Sequence, residues 1–279
     1  MNDIESSFKN KSGLNLFYRG WPLAEPKAVL VISHGYAEHS NRYADFAKYL
    51  QSNGYSVYAL DHRGHGKSDG ERAHVDSFSD YVDDLKEFVD LVTSESSLPV
   101  YLLGHSMGGA IATLFAIRYQ TSLAGLLISS AFIKSAVKVS PILLAISGLV
   151  AKIMPMKVIV KPLDAGLVSH DPQIVEKYKT DPLNYTEGTK ARMGSELISA
   201  GPKALAGIAN VTIPTLVMIG SDDQIADPEG GKELFEKLGS KDKTLKIYPG
   251  FYHEILNELE REKVYQDILE WLNNHLSMT

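Results

Sequence analysis

Residues Tyr101–Ala116 read YLLGHSMGGAIATLFA, an apolar run interrupted by His105 and Ser106 among three glycines. The half before the serine has the look of a buried strand, and GAIATLFAIRY after it reads as a buried helix. Gly104-His105-Ser106-Met107-Gly108 is the one Gly-x-Ser-x-Gly in the chain, and a strand-to-helix turn is the setting in which that pattern forms a nucleophile elbow. At so tight a turn a Cβ on either glycine would strike neighbouring backbone. The serine is expected in a strained conformation that lifts its hydroxyl above the sheet edge. The helix start behind it offers N–H groups to a developing negative charge.

Outward from this stretch, short runs rich in Val, Ile and Leu recur at 28–33, 55–60, 100–104, 123–129, 214–220 and 244–249. Their length and branching suit strands covered on both faces. Segments of helical length lie between them. NRYADFAKYLQSNG (41–54) aligns Tyr43, Phe46, Ala47 and Leu50, and SDYVDDLKEFVDLVTSE (79–95) repeats Val82, Leu85, Val89 and Val92 with acids on the other face. Alternating strand and helix implies an α/β fold with a mostly parallel central sheet. LNLFYRGWP near the start reads as an antiparallel edge strand. The rhythm breaks after 129, where about seventy residues precede the next strand, far beyond an ordinary crossover. The expected organisation is a core over 1–134 and 206–279, with a helical cap inserted over 135–205 and helical again around 188–200.

The bulk properties narrow the classes. With 279 residues, 44% hydrophobic and 22% charged, the chain matches an ordinary globular protein. A net charge of −6 argues against a nucleic-acid partner, and the absence of cysteine excludes disulfides and thiolate metal sites. MNDIESSF is acidic and lacks an apolar core, so no signal peptide is expected and the default address is cytoplasmic. The long apolar run 141–160 is broken by Lys152, Pro155 and Lys157, which disfavours a bilayer span.

A serine nucleophile needs a base, and the base needs an orienting acid. Of nine histidines, His253 in YPGFYHEILNE directly follows the last strand. His275 reads as a solvated residue of the C-terminal helix. His105 adjoins the serine, so its ring is directed away and is expected to pack. The acid should fall between serine and histidine in chain order, after a late strand. GSDDQIADP (220–228) offers Asp222, Asp223 and Asp227, and spacing alone leaves the three open. The oxyanion amides are expected from Met107, after the nucleophile, and from Tyr36 in SHGYAEHS, where Gly35 lets the chain turn. DHRGHGKS (61–68) ends like a phosphate loop, but Asp61 stands at its first glycine and no helix follows at once. Asp61, His62 and His65 lack a second ligand cluster, so a hydrogen-bonded turn is the reading preferred over a metal site.

Together, SHGYAEHSNRY, LDHRGHGKSDG, LLGHSMGGAIA, GSDDQIADP and KIYPGFYHEILNE resemble the monoacylglycerol lipase and lysophospholipase family of α/β-hydrolases, in order and across nearly the whole chain. The resemblance implies Ser106 as nucleophile, His253 as base, Asp223 as acid, and Tyr36 and Met107 as the oxyanion amides. It places Glu38 and Arg42 at the polar end of the pocket and Tyr178 on the cap near the glycerol end. It implies a lipid ester as substrate, no metal and no cofactor, and a cap whose ILLAISGLVAKIM segment suits an acyl tunnel and transient contact with a micelle or membrane. The alternatives within the fold are a lysophospholipase or a short-chain carboxylesterase. Outside catalysis, the alternative is a lipid-binding protein.

Overall fold

The computed structural model describes residues 3–94, 97–137 and 148–276. In chain order, its elements begin with β1 (Ile4–Lys9), β2 (Asn15–Trp21), β3 (Ala28–Ser33), α1 (Ala44–Ser52), β4 (Tyr55–Leu60) and α2 (Ser79–Thr93). Next come β5 (Val100–His105), α3 (Met107–Tyr119), β6 (Gly125–Ser129), β7 (Val158–Val160), α4 (Pro172–Thr180) and β8 (Thr189–Lys190). The chain continues through α5 (Ala191–Gly207), β9 (Thr215–Gly220), α6 (Pro228–Lys237), β10 (Lys243–Tyr248) and α7 (Arg261–His275).

Eight strands form one sheet in the order β1-β2-β4-β3-β5-β6-β9-β10. The β1–β2 and β2–β4 pairs are antiparallel, and the other pairs are parallel. This is the mostly parallel α/β sheet that the alternating pattern implied, and it agrees with the α/β-hydrolase architecture that the resemblance implied. The central strands AVLVIS, VYLLGH, GLLIS and TLVMIG are buried at every position, as a sheet covered on both faces requires. One apolar layer joins α2, α3 and α5 to the sheet, and a second joins α1 and α7 to its other face.

Several expectations need correction. The strand near the start is present as β2, but it lies one position in from the edge; β1 forms the edge. The residues IESSFK of β1 are almost all exposed, so no apolar alternation betrayed it. The acids of α2 do not all face solvent. Asp84 is buried, accepting from Asn10 and from the Arg63 guanidinium at 2.6–2.7 Å. His275 is buried as well, with Nδ1 against the Trp271 carbonyl oxygen at 2.6 Å and Nε2 3.1 Å from Asp242.

Between β6 and β9 the described chain runs over the C-terminal ends of the strands. Residues 148–153 are helical, β7 pairs with β8, and α4 begins at Pro172 with Asp171 accepting from the Gln173 N–H at 2.9 Å. Residues 138–147, which carry the first part of the apolar run, lie outside the described residues. Among the described residues, no helix is long and apolar enough to cross a membrane. α5 continues through Pro202, and its Met193, Ala200 and Ala204 share the apolar layer of α3.

Candidate active site

The C-terminal ends of β3, β5, β9 and β10 converge on one point. Ser106 sits between β5 and α3 with φ 54° and ψ −118°, outside the regions a side chain favours. A Cβ on Gly104 would overlap the carbonyl oxygen of Gly108, and one on Gly108 would overlap that of Ser33. Both glycines are therefore demanded by backbone approach, as expected.

His253 lies beyond β10. Its Nε2 is 2.8 Å from Ser106 Oγ, and its Nδ1 is 2.7 Å from Asp223 Oδ2. A carboxylate only accepts, so Nδ1 carries the proton and Nε2 accepts from the serine hydroxyl. The other Asp223 oxygen accepts from the Ile225 and Ala226 N–H groups at 2.8 and 3.0 Å, which fixes the carboxylate. Of the three aspartates, Asp223 is the one that His253 contacts. Asp222 is exposed and bonded to Ser221, and Asp227 caps α6 by accepting from Glu229 N–H. Burial alone would push the His253 pKa down. The charge and hydrogen bond of Asp223, with Glu254 and Glu38 behind it, outweigh that effect and raise it above the ordinary histidine value.

Met107 is the first residue of α3, so its N–H is among those a helix leaves without an internal acceptor. Tyr36 follows β3. His34 donates from Nδ1 to the Gly35 carbonyl oxygen at 2.7 Å while its Nε2 accepts from the His62 N–H at 2.9 Å. That bond orients the peptide unit whose other end is the Tyr36 N–H. Gly35 serves for room rather than for turning: a Cβ there would lie 2.8 Å from Glu38 Oε1 and 3.2 Å from Ser106 Cβ. The positive φ of the loop falls at Ala37, at 66°.

Ser106, Tyr36, Met107 and His253 line a cavity of about 360 Å³, walled elsewhere by apolar residues such as Phe132, Leu163, Leu197 and Ile225. Glu38, Tyr178 and Glu254 line it too; Arg42 lies behind them. Glu38 accepts from Gly35 N–H at 2.6 Å, Tyr43 O–H at 2.8 Å and Arg42 at 3.1 Å. Arg42 also grips both oxygens of Glu254, at 2.5 and 2.7 Å, and the Tyr178 ring covers its guanidinium at 4.8 Å. Among the described residues, the buried Tyr178 hydroxyl has no hydrogen-bond partner. Sequence reasoning did not single out Glu254, although YHEILNE displays it beside the histidine. His105 packs, as expected, and the ring it packs on is that of His253, centroids 4.8 Å apart. Burial drives the His105 pKa down to about 3, so this neighbour stays neutral.

Asp61 occupies its turn through hydrogen bonds from Ser40 N–H and Lys67 N–H at 2.7 and 2.8 Å. DHRGHGKS is thus the hydrogen-bonded turn it was read to be.

An elbow serine, a histidine after the last strand and a carboxylate between them in chain order, all at one end of a mostly parallel sheet, define an α/β-hydrolase. The family model described as serine aminopeptidase, S33, matches residues 24–260. The chain is 37% identical over 274 residues to the monoacylglycerol lipase of Mycolicibacterium smegmatis, covering 98% of each chain. It is 36% identical over 268 residues to the monoglyceride lipase of Homo sapiens, covering 95% of this chain and 88% of that one. The crystal structure of Paleococcus ferrophilus monoacylglycerol lipase superposes with a TM-score of 0.83 at 29% identity, covering 99% of this chain and 100% of that one. The chain belongs to the monoacylglycerol lipase family and is a carboxylic ester hydrolase.

Proposed function

We propose that this protein cleaves monoacylglycerols to glycerol and free fatty acid through an acyl-enzyme on Ser106. The observation that carries the reading is the 2.8 Å contact between His253 Nε2 and Ser106 Oγ, made in the wall of a largely apolar cavity with a polar end. In the first step Ser106 Oγ attacks the ester carbonyl carbon and its proton passes to His253 Nε2. Asp223 steadies the imidazolium, and the Tyr36 and Met107 N–H groups take the oxyanion. Collapse expels the glycerol oxygen, which receives the proton from His253. Water then attacks the acyl carbon and gives a proton to the same nitrogen; collapse breaks the bond to Ser106 Oγ, which takes that proton back, and the fatty acid leaves. The steps require neither metal nor cofactor.

The segment 135–205 acts as a cap. Its described part carries Leu149, Ile153, Met154, Met156, Val158 and Val160, all more than 40% exposed, interleaved with exposed Lys152, Lys157 and Lys161. An apolar surface with basic residues among it suits transient contact with a lipid interface, which makes the protein a peripheral visitor to membranes. A panel of long-chain mono-, di- and triacylglycerols, lysolipids and short aryl esters tests the assignment. Highest kcat/KM on monoacylglycerols is expected; preference for short aryl esters or lysolipids would overturn it.

A further inference from the structure

The head-group end of the cavity holds two carboxylates to one guanidinium. Arg42 is spent: it contacts Glu38 and both oxygens of Glu254, and the Tyr178 ring covers it. Both carboxylate residues line the cavity and both are at most 5% exposed, leaving one excess negative charge in a site that water barely screens. This charge is close to the reacting atoms. A point in van der Waals contact with Ser106 Cβ also touches Glu38 Oε1, and Glu254 adjoins His253, whose protonated form both carboxylates favour. The remaining charged residues in the wall, Lys161 and Asp164, are of opposite sign and exposed.

We propose that Glu254, together with Glu38, makes this end of the cavity a charge filter that admits uncharged, hydroxyl-bearing head groups and excludes phosphate-bearing ones. The proposal rests on Ser106 being the esterolytic centre and deepens that reading by naming the head-group class. The chemistry is asymmetric. The free hydroxyls of a glycerol monoester can donate to carboxylate oxygens. A lysophospholipid puts an anionic phosphate where one of those hydroxyls would be, beside two carboxylates whose guanidinium is already engaged. Glu254 thereby acts as a specificity-determining residue.

The test compares kcat/KM for oleoyl glycerol, oleoyl ethylene glycol and oleoyl lysophosphatidic acid, each in neutral-detergent micelles, for the full chain and Glu254→Gln. The wild type is expected to favour the neutral esters by about 100-fold, and the variant to shrink that ratio by about tenfold, the scale of removing one nearby charge at low screening. Equal losses on all three esters would make Glu254 a brace for Arg42 and overturn the filter. So would a wild-type ratio near one. A ratio that collapses at high salt would overturn it as well, because it would belong to the overall charge of −6, which salt screens while buried charges escape. Preference for the glycol ester over the glycerol ester would instead contradict the substrate assignment, and the neutral-to-anionic ratio would still decide the filter.

Discussion

Asp222 and Asp223 are neighbours in GSDDQIADP, yet one faces solvent and the other holds His253. Adjacent residues on a turn point different ways, and no spacing rule says which way each points. Replacing Asp223 by Asn should lower kcat/KM by about 10⁴-fold, because the amide no longer enforces the productive tautomer. Asp222→Asn should stay close to wild type in the same assay. Similar losses for both would refute the assignment. The raised pKa of His253 sets the acid side of the rate profile. The base works only when neutral, so kcat/KM should climb with pH through a midpoint above the ordinary histidine value of about 6.5. A midpoint clearly below that value would show that Asp223 does not act on the imidazole. Ser106 and His253 were legible because glycine spacing and chain order encode them. Glu254 was not, since its partner Arg42 lies 212 positions away.

At the level of elements, the parallel strands announced themselves because burial on both faces writes continuous apolar runs. β1 carries no such mark, and its place at the edge follows from pairing with β2 alone. The reading of α2 failed at Asp84 for a related reason: helical periodicity reports apolar residues, whereas a buried acid depends on partners elsewhere, here Asn10 and Arg63. The elbow is where element packing is tightest. In Gly108→Ala the new Cβ would meet backbone of β3 rather than a side chain able to yield. The variant should lose about 3 kcal/mol or more in urea unfolding, and a loss below about 1 kcal/mol would mean that α3 is free to shift away from the sheet.

Over the whole molecule, the topology gathers residues from β3, β5, β9 and β10 at one rim, which explains why motifs scattered along the chain belong to one site. The same rim rests on His34, His62 and His65, buried rings whose pKa values burial depresses, that of His65 to about 3. For such bases the unfolded chain binds protons that the folded one refuses. Stability is complete above the unfolded value of about 6.5 and falls as pH drops through it. Each such ring contributes about 1.4 kcal/mol of loss per pH unit below that value, whereas His253, shifted the other way, completes its gain above about 6.5 and adds no slope below it. The urea midpoint should therefore fall between pH 7 and pH 5; an unchanged midpoint would mean these rings are not held neutral. The most direct test of the account is glycerol and fatty-acid release from a long-chain monoacylglycerol by the wild type beside Ser106→Ala. We predict a fall of about 10⁴-fold or more in the variant with its fold intact. Retention of most of the activity would contradict the account at its centre.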